Sequence, residues 1–299
     1  MKKLFLFIIS LLSISLNIIA QAKTNIELPA IISTETIIKH FGYTLSYNEN
    51  HEQANWVAYE LTADETQKKV KRSNIFRMDD AVKTGSATNV DYKGSGYGRG
   101  HLAPAADMGW SVQSMEESFF YSNMSPQVPG FNRGIWKKLE EQVRQWAVDN
   151  KAVYVVTGPV LENNLHTIGT NHISVPRYYY KVILDYTEPE LKGIGFLMPN
   201  TSSSLPLQHF AVSIDSVEHV TGINFFPALR NKQEQNIETK VCLNCWTWTS
   251  AYSQHHKNAQ ETISKELGII HRCSATTKSG TRCKRMTSNL SGFCTQHKK

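Results

Sequence analysis

The stretch Ser95-Gly96-Tyr97-Gly98-Arg99-Gly100-His101-Leu102-Ala103-Pro104 sets a histidine beside an arginine on a glycine-rich run. Asn132 follows His101 at a distance of 31 residues, inside Phe131-Asn132-Arg133-Gly134-Ile135-Trp136-Lys137-Lys138-Leu139-Glu140. A neutral imidazole takes a proton from water near pH 7. A guanidinium grips phosphate, and an amide oxygen beside a carboxylate suits a hard, water-rich cation. These are the parts needed to cut a phosphodiester.

Around this core the chain reads as short aromatic and β-branched strands at 43–47 and 56–61, with a charged loop at 62–72. Residues 90–100 are expected to approach the site as an irregular, glycine-rich segment. Trp136, Leu139, Val143, Trp146 and Ala147 recur at helical spacing and predict an amphipathic helix from about Gly134 to Val148. Further strands are expected at 152–157, 178–186 and 193–199. A strand and a short helix near 216–220 should share the segment 206–226. Strands and helices do not alternate as βαβ units. The expected class is therefore α+β, with a central antiparallel or mixed sheet flanked by helices.

Several separated stretches together resemble the DNA/RNA non-specific endonuclease family, whose active site is a ββα-metal finger. They are Trp56 to Leu61, Arg72-Ser73-Asn74-Ile75-Phe76-Arg77, Gly98 to Pro104, Ser122-Asn123-Met124-Ser125-Pro126-Gln127, and Asn132 to Glu140. Thr221-Gly222-Ile223-Asn224-Phe225-Phe226 resembles the end of that family's domain, so the likeness spans roughly residues 40–250. It implies His101 as general base. It implies Asn132 as the sole direct protein ligand of a Mg2+ ion, with Mn2+ or another divalent ion as a substitute. Arg72 and Arg99 would bind the scissile phosphate, and Asn123 would hold the loop facing His101.

Glu140 lies eight residues beyond Asn132. On a continuous helix this is about 12 Å, too far to share a coordination shell, so Glu140 should act on metal-bound waters. The family's usual signature begins with aspartate where this chain has Gly98. That aspartate is expected to support the turn and its neighbours, and glycine should weaken or retune the site.

Taken singly, each residue has a plainer reading. A histidine after glycines is usually a surface or capping group, Asn132 an ordinary helix N-cap, and Glu140 a solvated helix face with Lys137. Their joint occurrence in one order is what favours a nuclease. The glycines alone could suggest a dinucleotide loop, but no βαβ context precedes them.

Met1-Lys2-Lys3, the apolar run Leu4–Ala20 and Ala20-Gln21-Ala22 read as a signal peptide over 1–22. A membrane anchor needs about 20 apolar residues, and Ser10, Ser13, Ser15 and Asn17 weaken that reading. The expected product is exported, periplasmic or secreted, with a nuclease domain over 23–254, a polar connection over 255–270 and a tail over 271–299.

The net charge is +6. Of the 32 lysines and arginines, two sit in the leader and seven in the tail, which leaves the body with fewer bases than its 26 acids. The body is therefore no general polyanion binder, and DNA or RNA must be gripped locally.

All five cysteines follow residue 241. Cys273, Cys283, Cys294 and His297 form Cys-x9-Cys-x10-Cys-x2-His, a complete tetrahedral set for Zn2+. Disulfides are the rival reading in an exported chain, but three cysteines leave one over. Cys242 and Cys245 fit a local disulfide better than a metal site or a redox pair. A second functional reading is a weakened nuclease fold that binds nucleic acid through the basic tail. A third is a zinc-stabilised interaction module on an inert scaffold.

Overall fold

The computed structural model describes residues 25–187, 191–229, 231–249, 271–273, 275–277, 283–287 and 294–297. The expected leader at 1–22 and connection at 255–270 lie outside the described residues.

The chain begins with β1 (Thr36–Lys39), β2 (Thr44–Asn48) and β3 (Gln53–Thr62). Next come α1 (Asn89–Tyr92), β4 (Gly98–His101), α2 (Val112–Glu117) and β5 (Met124–Gln127). One-turn α3 (Pro129–Phe131) leads through a wide π-type turn at Asn132–Trp136 into α4 (Lys137–Asp149). Then follow β6 (Ala152–Pro159), β7 (Thr167–Ile168), β8 (Ile173–Ser174), β9 (Tyr178–Asp185), β10 (Lys192–Pro199) and β11 (Ala211–Val212). The body ends with α5 (Ile214–Thr221) and α6 (Asn231–Glu238), and the tail carries β12 (His271–Arg272) and β13 (Met286–Thr287). No helix among the described residues is long and apolar enough to cross a membrane.

Seven strands form one sheet in the order β1-β2-β3-β6-β9-β10-β11, every pair antiparallel. This is the expected α+β architecture, and the period-two side-chain alternation explains its layering. In β9, Tyr179 and Ile183 face one core while Tyr180, Val182 and Leu184 face the other. The first core contains Leu139, Val143, Trp146 and Ala147 of α4. The second contains Ile214, Val217, Phe225, Phe226 and Ile237 around α5 and α6. A sheet buried on both faces loses the usual polar side of its strands, so β6, β9 and β10 read as near-continuous apolar runs.

The active region is built on the first face. β4 and β5 pair with Gly98 opposite Gln127 and His101 opposite Met124. With α4 they make the expected ββα unit. Segment 90–100 is more ordered than its glycines predict: α1 and β4 occupy most of it. The amide–carbonyl pairing with β5 supplies what local propensity lacks. Gly100 permits this pairing because a Cβ there would stand 2.2 Å from the Gln127 side chain.

The expected helix also starts later, at Lys137. Gly134 has φ −102° and ψ −111°, so the backbone from Asn132 to Glu140 is not one continuous helix. The 12 Å spacing expected for a straight helix does not apply. α4 then buries one stripe and ends where Asn150 Nδ2 donates to the Trp146 carbonyl at 2.8 Å.

Beyond α6, the segment 241–249 folds back onto α4. Trp146 Nε1 donates to the Thr247 carbonyl at 2.5 Å, and Trp246 lies 4.5 Å from Trp146 between ring centres. Cys242 and Cys245 form the expected disulfide within this strap.

Candidate active site

His101 closes β4 and is 9% exposed, with Phe119 edge-on at 4.8 Å and Phe76 at 5.8 Å. The same two rings carry the arginines. The Arg72 guanidinium lies 5.0 Å from the Phe119 ring centre, and that of Arg99 lies 4.0 Å from Phe76. Two cations thus flank one imidazole over a shared aromatic shelf. Burial first, and then Arg72 and Arg99, push the His101 imidazole down to about 3. It is therefore neutral across the physiological range. Its Nε2 is buried and meets no hydrogen-bond partner among the described residues, leaving a lone pair or proton for a ligand to use.

Asn123 is fully buried and bonds the loop that follows His101. Its Oδ1 accepts from Ala103 N at 2.9 Å, while its Nδ2 donates to the carbonyls of Ala103 and Ser118, each at 2.9 Å. Leu102 N also donates to the Asn123 carbonyl at 3.0 Å. The loop leaving His101 is pinned at three points. Arg99 is oriented by donation to Asn89 Oδ1 at 2.8 Å.

Asn132 lies in the wide turn with helical φ/ψ, so it is not an N-cap. A Cβ on Gly98 would stand 3.4 Å from its Nδ2. β4 thus touches Asn132 at its first residue and presents His101 at its last. The position of the missing aspartate abuts Asn132, one of the neighbours it was expected to support.

Glu140 faces a buried charged cluster that sequence reading missed. Arg144 donates to Asp107 Oδ1 at 2.7 Å, and Tyr59 donates to Asp107 Oδ2 at 2.8 Å. Lys181 is fully buried on the α4 side of β9, its Nζ 4.8 Å from the Trp136 ring. Burial raises the Glu140 carboxyl, opposed first by Lys181 and later by Arg144 and Arg72. Burial likewise lowers the Lys181 ammonium, opposed by Glu140 and Asp107. Arg72 acts electrostatically on both His101 and Glu140, which ties the two halves of the site together. The sequence did carry one signal for this cluster: a lysine within the otherwise apolar run Tyr178-Tyr179-Tyr180-Lys181-Val182-Ile183-Leu184.

The donors offered to a metal here are an amide and a carboxylate, a hard oxygen set that fits Mg2+ and would leave room for its waters. Buried Gln127 adds two side-chain polar atoms without hydrogen-bond partners among the described residues, beside Gly100. The site is polar enough for a hydrated ion. The tail brings Cys273, Cys283, Cys294 and His297 together as a separate cluster.

The sequence profile of the DNA/RNA non-specific endonuclease family matches residues 23–232. Mitochondrial endonuclease G of Bos taurus is 36% identical over 200 residues, covering 62% of this chain and 67% of that protein. Nuclease C1 of Cunninghamella echinulata var. echinulata is 37% identical over 204 residues, covering 62% of this chain and 81% of its own. A crystal structure of an EndoG/EndoGI inhibition complex superposes with a TM-score of 0.64 at 35% identity, covering 69% of this chain and 90% of the other. The chain belongs to the DNA/RNA non-specific endonuclease family and is a hydrolytic nuclease.

Proposed function

We propose that the protein is an exported, Mg2+-dependent nuclease that hydrolyses phosphodiester bonds in both DNA and RNA with little sequence preference. The observation that carries this reading is His101: buried, neutral, its Nε2 unpartnered, and flanked by two guanidiniums. Neutral imidazole is the form that accepts a proton from an attacking water. Arg72 and Arg99 hold the scissile phosphate and favour the charge that grows on it. Asn132 holds the divalent ion through its amide oxygen, and Glu140 orients the waters around it. When bound, that ion supplies positive charge to the phosphate and to the 3′ leaving oxygen. Products then carry 5′ phosphates. Asn123 keeps the His101 loop in register without touching substrate.

Low base preference follows from contacts directed at phosphate rather than at base edges. Export is supported by the leader-like sequence 1–22 and by the Cys242–Cys245 disulfide, which suits an oxidising compartment. Periplasmic retention and full secretion are both compatible with these features. The intact pairing of β4 with β5 around Gly98 favours an active enzyme over a silenced, nucleic-acid-binding fold.

The test is cleavage of supercoiled plasmid and of a structured RNA in Mg2+, with and without EDTA. Both substrates should be cut, cutting should stop with chelator, and Asn132→Ala should need far more metal. Equal cutting in EDTA, or no cutting with Mg2+, Mn2+ or other divalent ions, would overturn the proposal.

A further inference from the structure

We propose that Cys273, Cys283, Cys294 and His297 bind one structural zinc ion that folds the tail. The family match ends at residue 232, so nothing in the nuclease fold accounts for this cluster. One ligand atom from each of the four residues lies within 4.8 Å of the others. The imidazole Nδ1 of His297 stands 3.5 Å from Cys273 Sγ and 3.3 Å from Cys294 Sγ. With Zn–S near 2.3 Å and Zn–N near 2.0 Å, the S···N edge of a tetrahedron is about 3.5 Å. The side chains already stand at the spacing a tetrahedral ion imposes.

The backbone is arranged to the same end. β12 and β13 pair through His271 with Thr287 and Arg272 with Met286. Cys273 N donates to the Arg285 carbonyl and Cys283 N to the Ala275 carbonyl, both at 2.7 Å, which sets one ligand just after β12 and another just before β13 on paired backbone. Cys294 and His297 come from one turn, closed by His297 N donating to the Cys294 carbonyl at 2.9 Å. Cys294 N also donates to Cys273 Sγ at 3.2 Å, a bond that favours a thiolate.

Packing gives the reason a metal is needed. Among the described residues of the tail, the apolar cluster consists of the three cysteines and partly buried Ala275. A segment of fewer than about 30 residues rarely holds a sufficient core without a metal or disulfide staple. The body contains a disulfide at Cys242–Cys245, whereas no disulfide joins Cys273, Cys283 and Cys294 to one another. Four protein ligands leave no open coordination position, so the ion is structural rather than catalytic. The chain then holds two metals of opposite character: a hard ion on oxygen in the nuclease site and a soft-ligated one in the tail.

The test is zinc content of the full-length protein after dialysis into metal-free buffer. One zinc per chain is expected in the wild type and in Asn132→Ala. Cys283→Ser and Cys294→Ser should each hold less than a tenth of that. Because these variants could fail to fold, the wild type is also loaded with Co2+. A tetrahedral ion on thiolates gives strong visible bands and a sulfur-to-metal charge-transfer band in the near ultraviolet. Three outcomes would overturn the proposal: zinc below a tenth per chain after zinc loading, a weak octahedral cobalt spectrum, or zinc lost in Asn132→Ala but kept in Cys283→Ser.

Discussion

His101 works as a base because its surroundings forbid the imidazolium. Burial and the charges of Arg72 and Arg99 hold it down to about 3, so it stays neutral from there upward. Removing Arg72 relieves part of that pressure and raises the value. The acid limb of log(kcat/KM) for Arg72→Gln should therefore sit at higher pH than in the wild type. The pH-independent rate should also fall, by about 10²-fold, from loss of a donor to the developing charge. A pH–rate profile with the limb unmoved would count against this coupling. At Gly98 the expectation is a gain. A Cβ there makes ordinary contact with Asn132 Nδ2 at 3.4 Å and with the Gln127 carbonyl at 3.6 Å. Gly98→Asp would thus set a carboxylate beside the metal ligand. It should lower the Mg2+ concentration for half-maximal cleavage roughly tenfold, between the bulk-water and near-surface values of one close charge pair.

At the scale of elements, α4 and β9 face each other across charge as well as hydrocarbon. Lys181, itself fully buried, is the main cation opposing Glu140. Lys181→Met should cost about 3 kcal/mol at pH 8, because it removes the largest of the positive charges that offset the burial of Glu140. The cost should shrink at pH 5, where Glu140, already raised by burial, takes up a proton. Chemical denaturation at the two pH values measures both. This cluster was illegible beforehand because a lysine is usually read as exposed. By contrast, β3, β6, β9 and β10 were legible from their apolar and aromatic runs, and α4 from the spacing of Leu139, Val143, Trp146 and Ala147. β5 was hidden by Ser125, Pro126 and Gln127, which look like loop residues. Only pairing with β4, a tertiary event, makes that segment a strand. The break at Gly134 was equally hidden, because Ile135 and Trp136 continue the helical apolar pattern across it.

Over the whole molecule, the sheet separates two cores and the nuclease site grows from one of them. The order of motifs singled out His101, Arg99, Arg72, Asn123, Asn132 and Glu140 as candidates, whereas the aromatic shelf of Phe76 and Phe119 beneath His101 and the two arginines carried no sequence signal. The strap at 241–249 extends the body past the end of the family match and clamps the back of α4, the helix that bears Glu140. Trp246 is 4% exposed and packs on Trp146. Trp246→Ala should cost about 3–5 kcal/mol of stability, read from the denaturant midpoint. An unchanged midpoint would show that the strap adds no stability. The central claim is that a neutral imidazole at 101 takes the proton from water at a phosphorus held by arginine and metal. Single-turnover cleavage by His101→Ala, at saturating Mg2+ and pH 7.5, tests it most directly. The account predicts a loss of about 10²–10⁴-fold with substrate binding retained; a rate equal to that of the wild type would contradict it.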